Sequence, residues 1–380
     1  MSQKRSIFVE VSDTGPKPAA VPGAAQAAKR RARRQISVWL MLIFVMLVAM
    51  IAVGGLTRLT DSGLSITQWK PLTGALPPLS QADWEAEFAL YQQIPQFELI
   101  NKSMTVDEFK SIYWWEWSHR QLGRAIGLVW ALGFFWFLLR RKIPTGWTPR
   151  LLGVGLLGGL QGAIGWWMVS SGLTGEMVSV ASYRLATHLG LAFLILGLIA
   201  WFVFQLRRDE ATLLQARRQA QAGLKGLTGV LVALAFAQIL LGALVAGIDA
   251  GRGYIDWPMM NGEFLPSESF DYQPLWTNFF ENPALVQFNH RMLGYVVFVF
   301  GLFLWARARR AALSGVRRAY SAMAAMLVLQ VVIGIATVMH AAPVGLALLH
   351  QVGAVVLFCL ILRARFEAAY PAEERIRGRA

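Results

Sequence analysis

Four of the five histidines in this chain fall at matching places in two copies of one pattern. Glu116-Trp117-Ser118-His119-Arg120 opens one apolar run, and Gln287-Phe288-Asn289-His290-Arg291 opens another. Each is followed, one helix hairpin later, by a second histidine inside an apolar run: His188 in the first copy and His350 in the second. A histidine within a membrane span is expensive and needs a partner. A single one is ordinarily satisfied by a hydrogen bond to a neighbouring helix. Two repeated pairs, each at comparable depth on different helices, point instead to two sites where paired imidazoles grip a haem iron from both faces. Zinc is a poorer match, because no third or fourth ligand repeats beside them. His340 has no counterpart, since Ser171 stands at its matching place, and it reads as an interfacial residue.

The copies differ at one chemically telling position, where Glu116 is replaced by Gln287. A carboxylate three residues before His119 shares its helix face. It can take up a proton or stabilise positive charge on a substrate carbon; its plainer role is to orient His119. Glutamine serves the orienting role equally well but not the proton-transfer role. The pattern therefore favours chemistry in the first copy and electron transfer or structure in the second. Arg120 and Arg291 directly follow the first histidine of each pair, and arginine suits the two carboxylates at a haem edge. Arg58, Arg124, Arg184 and Arg252 are further candidates near the same surface.

The elements that must position these residues are membrane spans. With 56% hydrophobic and only 15% charged residues, the chain is not an ordinary soluble domain. Eight apolar runs are long enough to cross a bilayer, at about 36–56, 119–139, 150–170, 183–205, 226–248, 289–306, 319–340 and 343–362. The first lies too far from the start, and is too long, for a cleaved signal peptide. The net charge of +14 invites a nucleic-acid reading, but its distribution argues against one. Basic clusters around Arg30–Arg34, Arg140–Lys142, Arg207–Arg218 and Arg307–Arg318 all fall on one side, as the positive-inside rule requires. The expectation is a multi-pass membrane protein with both termini in the cytoplasm. The single cysteine, Cys359, lies within the last span and reads as a small core residue.

The chain after its first residues reads as an internal duplication. Gly54, Asp61, Gly63, Trp69, Gly74 and Pro78 recur 188 residues later as Gly242, Asp249, Gly251, Trp257, Gly262 and Pro266. Leu160-Gln161 and Ile164-Gly165 recur as Leu329-Gln330 and Ile333-Gly334. Four spans per copy give both copies the same orientation, as in parallel repeats. The expected fold is an all-α integral membrane protein: a disordered tail over 1–35, a four-helix bundle over 36–205, a cytoplasmic linker over 206–225, a second bundle over 226–362 and a tail over 363–380. The outer loops 57–118 and 249–288 are long and rich in tryptophan, suited to covering something large and apolar.

These motifs resemble the haem A synthase family, in the branch shared by alphaproteobacteria and mitochondria. The resemblance covers nearly everything after residue 35. It rests on the stretch from Gly54 to Pro78, on Trp114 to Arg120, on Asn278 to Pro283, on Gln287 to Arg291 and on Leu349-His350-Gln351. The cysteine pair found in the first outer loop of the family's other bacterial branch is absent. The resemblance implies an eight-span oxidoreductase that converts the C8 methyl of haem O to a formyl group by successive hydroxylations, giving haem A for cytochrome oxidase. It implies that His119 and His188 bracket the substrate haem, that Glu116 is the essential carboxylate, and that His290 and His350 ligate a permanent haem B. It also implies haem O synthase as the upstream partner and an unidentified electron acceptor. A homo-oligomer is compatible with all of this. Two other readings of the residues stand beside it: a di-haem b-type cytochrome exchanging electrons with quinone, and a haem transporter. The Glu116/Gln287 asymmetry and the large first loop favour the enzyme over the cytochrome. The absence of polar groups in the inner halves of the spans disfavours the transporter.

Overall fold

The computed structural model describes residues 22–372, so the outermost parts of both expected tails, 1–21 and 373–380, lie outside it. Among the described residues eight helices are long and apolar enough to cross a membrane. They are α1 (Pro22–Leu59), α4 (Val106–Leu139), α5 (Thr148–Val169), α6 (Ser182–Leu206), α8 (Ala222–Gly247), α10 (Pro283–Ala308), α11 (Ser314–Met339) and α12 (Val344–Ala369). Shorter helices lie between them: α2 (Gln81–Tyr91) and α3 (Pro95–Leu99) in the first outer loop, α7 (Glu210–Arg218) in the linker and α9 (Asn278–Glu281) in the second outer loop. No β-strand forms among the described residues. The chain is thus the all-helical membrane protein its composition demands.

Helices α1, α6, α8 and α12 pack against one another across the middle. Pair α4/α5 flanks them on one side and pair α10/α11 on the other. The buried core runs through both halves, from Ile36, Leu40 and Ile43 of α1 to Phe193, Leu196 and Ile199 of α6 and to Phe358 and Ile361 of α12. Gly197 leaves room for Phe358, whose ring meets Phe193 edge-on at 5.8 Å. Tryptophan fills similar notches on the outer pair. Trp39 lies in the notch at Gly133 and donates to the Val129 carbonyl at 3.0 Å, and a Cβ on Gly133 would overlap its indole nitrogen. Gly133→Ala is expected to cost about 1–3 kcal/mol through overpacking, seen as a lower midpoint of thermal unfolding in detergent.

Several boundaries differ from the sequence reading, each for a local reason. Residues 22–35, placed in a disordered tail, form the first turns of α1. The segment is rich in alanine, the best helix former, and Arg33 is buried: it donates to the Gln205 and Arg208 carbonyls at 2.8 Å and to Glu210 at 3.1 Å. That arginine fastens α1 to the C-terminal end of α6, where a cation satisfies orphan carbonyls. The linker carries α7 and the start of α8. Helix α12 continues to Ala369, because Glu367 is buried against Arg208 at 2.8 Å and Arg363 at 2.8 Å. Helix α4 starts at Val106, well before the expected 119, on a reciprocal capping box between Thr105 and Glu108. His119 therefore lies well inside α4 rather than at its start. Helix α10 starts at Pro283, with the Asn282 side chain accepting from Ala284 and Leu285.

Two matched aspartates end α1 and α8. Asp61 and Asp249 both take left-handed backbone, with φ of 51° and 53°. Arg58 lies between them, bonded to Asp61 at 2.8 Å, to Asp249 at 2.7 Å and to the Gly247 carbonyl at 3.2 Å.

Candidate active site

Each of the four matched histidines lies against a glycine of the neighbouring helix. A Cβ on Gly165 of α5 would stand 2.9 Å from the His188 ring, and one on Gly334 of α11 would stand 2.9 Å from the His350 ring. On Gly242 of α8 it would stand 3.0 Å from His290, and on Gly54 of α1 3.1 Å from His119. Only glycine lets these rings approach the adjacent helix so closely.

Three of these rings have a second partner. One helical turn before each glycine, Gln161, Gln238 and Gln330 donate their amides to the backbone carbonyls of His188, His290 and His350 at 3.0, 2.9 and 2.8 Å. The same amide nitrogens lie 3.2, 3.1 and 3.2 Å from the three Nδ1 atoms. The spacing Gln-x-x-x-Gly puts both side chains on one helix face. It occurs at 161/165, 238/242 and 330/334, and with methionine at 50/54. Sequence reasoning quoted two of these pairs as repeat markers only and missed their role as histidine supports. The shared four-residue spacing ahead of each glycine was the available signal.

The residues present fit haem. The His290 and His350 ring centres are 6.5 Å apart, on α10 and α12. Two metal–imidazole bonds of about 2 Å each, with the distance from each ring centre to its edge, fill that separation. The three glutamine Oε1 atoms are buried without a partner. The amide nitrogens of Gln161 and Gln238 also lie 3.3 Å from the Nε2 atoms of His188 and His290, so each amide faces the ring as well as the backbone.

Glu116 is 3% exposed and its carboxylate accepts four hydrogen bonds. Oε2 takes the Ser65 hydroxyl at 2.8 Å and the Ile66 N–H at 2.9 Å; Oε1 takes Arg120 Nη2 at 2.6 Å and Nε at 3.1 Å. None of these donors recurs on Gln287, which is buried and donates to the Tyr254 carbonyl at 3.1 Å. Gly253 replaces Ser65 at the matching place. The asymmetry read from one residue is therefore a change of the whole setting. Ser65 was not singled out in the sequence because nothing local marks it.

The arginines of the site hold the neighbouring loops. Arg120 also donates to the Ile66 and Gln68 carbonyls at 2.7 and 3.0 Å. Arg124 takes the Lys70 and Pro71 carbonyls at 2.8 and 2.9 Å, and Gln121 takes Ala75 at 2.9 Å. One face of α4 thus straps down segment 66–75. Arg291 does the same in the second half, donating to Tyr254, Asp256 and Met259 carbonyls at 2.9, 3.0 and 2.9 Å. Tyr254 and Asp256 match Ile66 and Gln68. Both guanidiniums are committed to these loops. Arg184 is bonded to the Trp167 carbonyl at 2.7 Å, Arg252 lies 3.7 Å from Asp249, and His340 is exposed at the end of α11. In the second loop, burial and the hydrogen bond to Glu268 push the Tyr254 phenol up, and the same bond holds Glu268 down. Backbone N–H groups of Asn261 and Gly262 hold Asp256 below the usual carboxylate range.

One contact joins the two halves beside the sites. Gln351, next to His350, donates to the Ile51 carbonyl of α1 at 2.7 Å and fills the space over Gly55.

Fold and site together define a multi-pass membrane protein with two histidine pairs in helix bundles, a carboxylate beside one pair and an amide beside the other. The chain belongs to the cytochrome oxidase assembly protein family COX15-CtaA, which it matches over residues 37–362. It is 62% identical to the haem A synthase of Dinoroseobacter shibae, over 100% of this chain and 99% of that one. It is 62% identical to the haem A synthase of Paracoccus denitrificans over 99% of each chain. The haem A synthase of Ruegeria pomeroyi is 61% identical over the full length of both.

Proposed function

We propose that this chain is a haem A synthase of the bacterial inner membrane, with both termini in the cytoplasm. It oxidises the C8 methyl of haem O to a formyl group through two hydroxylations and loss of water. The observation that carries this reading is the Glu116 setting: a buried carboxylate with four donors on the helix that bears one histidine pair, replaced by an amide at the other.

In this reading His119 and His188 hold the substrate haem O, and the strap over 66–75 covers the site and excludes water. The fixed Glu116 carboxylate stabilises positive charge that develops at the reacting carbon. Its position is set before the substrate arrives, because Ser65, Ile66 and Arg120 hold it from two sides. His290 and His350 hold haem B, which supplies one-electron chemistry when bound. Gln238 and Gln330 orient those two ligands. Haem O is too apolar to cross water freely, so haem O synthase is the natural donor, and an electron acceptor completes the cycle.

The test is expression in a bacterium that makes haem O but lacks haem A. Extraction and chromatography are expected to show haem A appearing only with this chain. Haem O left unconverted, with the protein present in the membrane, would sink the proposal.

A further inference from the structure

The four histidine supports are not equal. His188, His290 and His350 each receive a glutamine amide from the neighbouring helix. His119 receives none: the place of Gln238 in the first half is held by Met50. The two side chains occupy the same notch. A Cβ on Gly294 would lie 3.3 Å from Gln238 Nε2, and one on Gly123 would lie 3.3 Å from Met50 Cε. These glycines stand one turn after His290 and His119, respectively. The thioether offers no N–H to the His119 carbonyl and no acceptor comparable to an amide oxygen.

The His119 ring is also set differently. It turns its Nε2 and Cδ2 edge toward Gly54, at 3.1 and 3.4 Å from a Cβ built there. The other three rings turn Cε1 toward their glycines, with Nδ1 next at 3.4 to 3.6 Å and Nε2 third at 3.7 to 3.9 Å. Three imidazoles are therefore held in one common setting, and the His119 ring has no hydrogen-bond partner among the described residues.

We propose that this difference sorts a resident haem from a passing one. Two supported ligands, His290 and His350, retain their haem. The first site pairs one supported ligand, His188, with one unsupported ligand, His119, so that its haem can be released. Met50 is a positioning residue by omission: it fills the notch without fixing the ligand. The inference rests on the reading that the first site takes haem O and gives up haem A, a turnover that a retained haem would block.

Full-length protein in detergent, from a host supplying haem O, is mixed with excess apomyoglobin, and haem transfer is followed by absorbance. Extraction then tells haem O and haem A from haem B. Met50→Gln is expected to slow release of haem O and haem A about fivefold, the net worth of one added hydrogen bond, with haem B release unchanged. Gln238→Met is expected to speed haem B release by about the same factor. Met50→Leu, which keeps the notch apolar, is expected to behave as the parent. Unchanged rates in Met50→Gln protein that still holds haem B, or full haem B retention in Gln238→Met, would overturn the proposal. If haem B alone fills both sites, the proposed activity fails instead, and the two haem B release phases still decide the role of the clamp.

Discussion

Glu116→Gln is expected to leave the protein folded and loaded but unable to convert haem O. The substitution makes the first site chemically like the second, where Gln287 occupies the matching place. Shape is nearly preserved, so the helix α4 backbone and the strap over 66–75 have no reason to move. Charge is not preserved. Arg120 loses the anion that takes its Nε and Nη2 groups, and the Ser65 hydroxyl and Ile66 N–H lose a charged acceptor. Removing one fixed electrostatic contributor from an active site costs about 10²–10³ in rate. Haem A in membrane extracts is therefore expected to fall at least about a hundredfold, with haem O accumulating and haem B still bound. Normal haem A would mean that Glu116 only fastens the outer strap, and chemistry would have to be sought elsewhere.

The second large effect separates the two sites by their glycines. Gly165→Val is expected to expel the first-site haem and leave haem B, and Gly334→Val is expected to do the reverse. A Cβ at either position would stand 2.9 Å from a histidine Cε1, closer than real side chains approach. The rings cannot swing away cheaply, because Gln161 and Gln330 hold the same histidines from the same helices. Valine adds two further methyl groups, and the ligand must leave its setting. Haem content by absorbance and extraction reads the outcome. If both variants keep both haems, the glycine notches do not set the ligands, and the histidine pairs are not the haem sites.

Much of this arrangement was legible in the sequence because it depends on local pattern. Apolar runs bounded by arginine clusters give the spans, and a repeated Glu/Gln-x-x-His-Arg motif marks the first histidine of each matched pair. What escaped depends on partners brought together from different helices. Gln161, Gln238 and Gln330 sit in apolar helices as isolated polar residues, and nothing nearby in the chain names the histidine each one meets. Ser65 reads as one more loop serine until α4 places Glu116 against it. Arg120 and Arg291 suited a haem carboxylate by residue type, and nothing nearby in the chain shows that they also reach backbone carbonyls of the loops. Helix ends were misplaced where a cap or a buried ion pair, at Thr105 and at Glu367, outweighed hydropathy.

Arg58 shows what joining two halves in one chain permits. In a dimer of identical halves every residue near the symmetry axis appears twice. An arginine at this place would then face its own copy, and two buried like charges repel. Here Asp61 and Asp249 are both kept, while the position matching Arg58 is Ala246. One cation, 12% exposed, is shared between two equivalent anions. Such a contact has no symmetric counterpart. It fixes the two halves as unlike members of one molecule, and a dimer assembled from either half alone could not reproduce it.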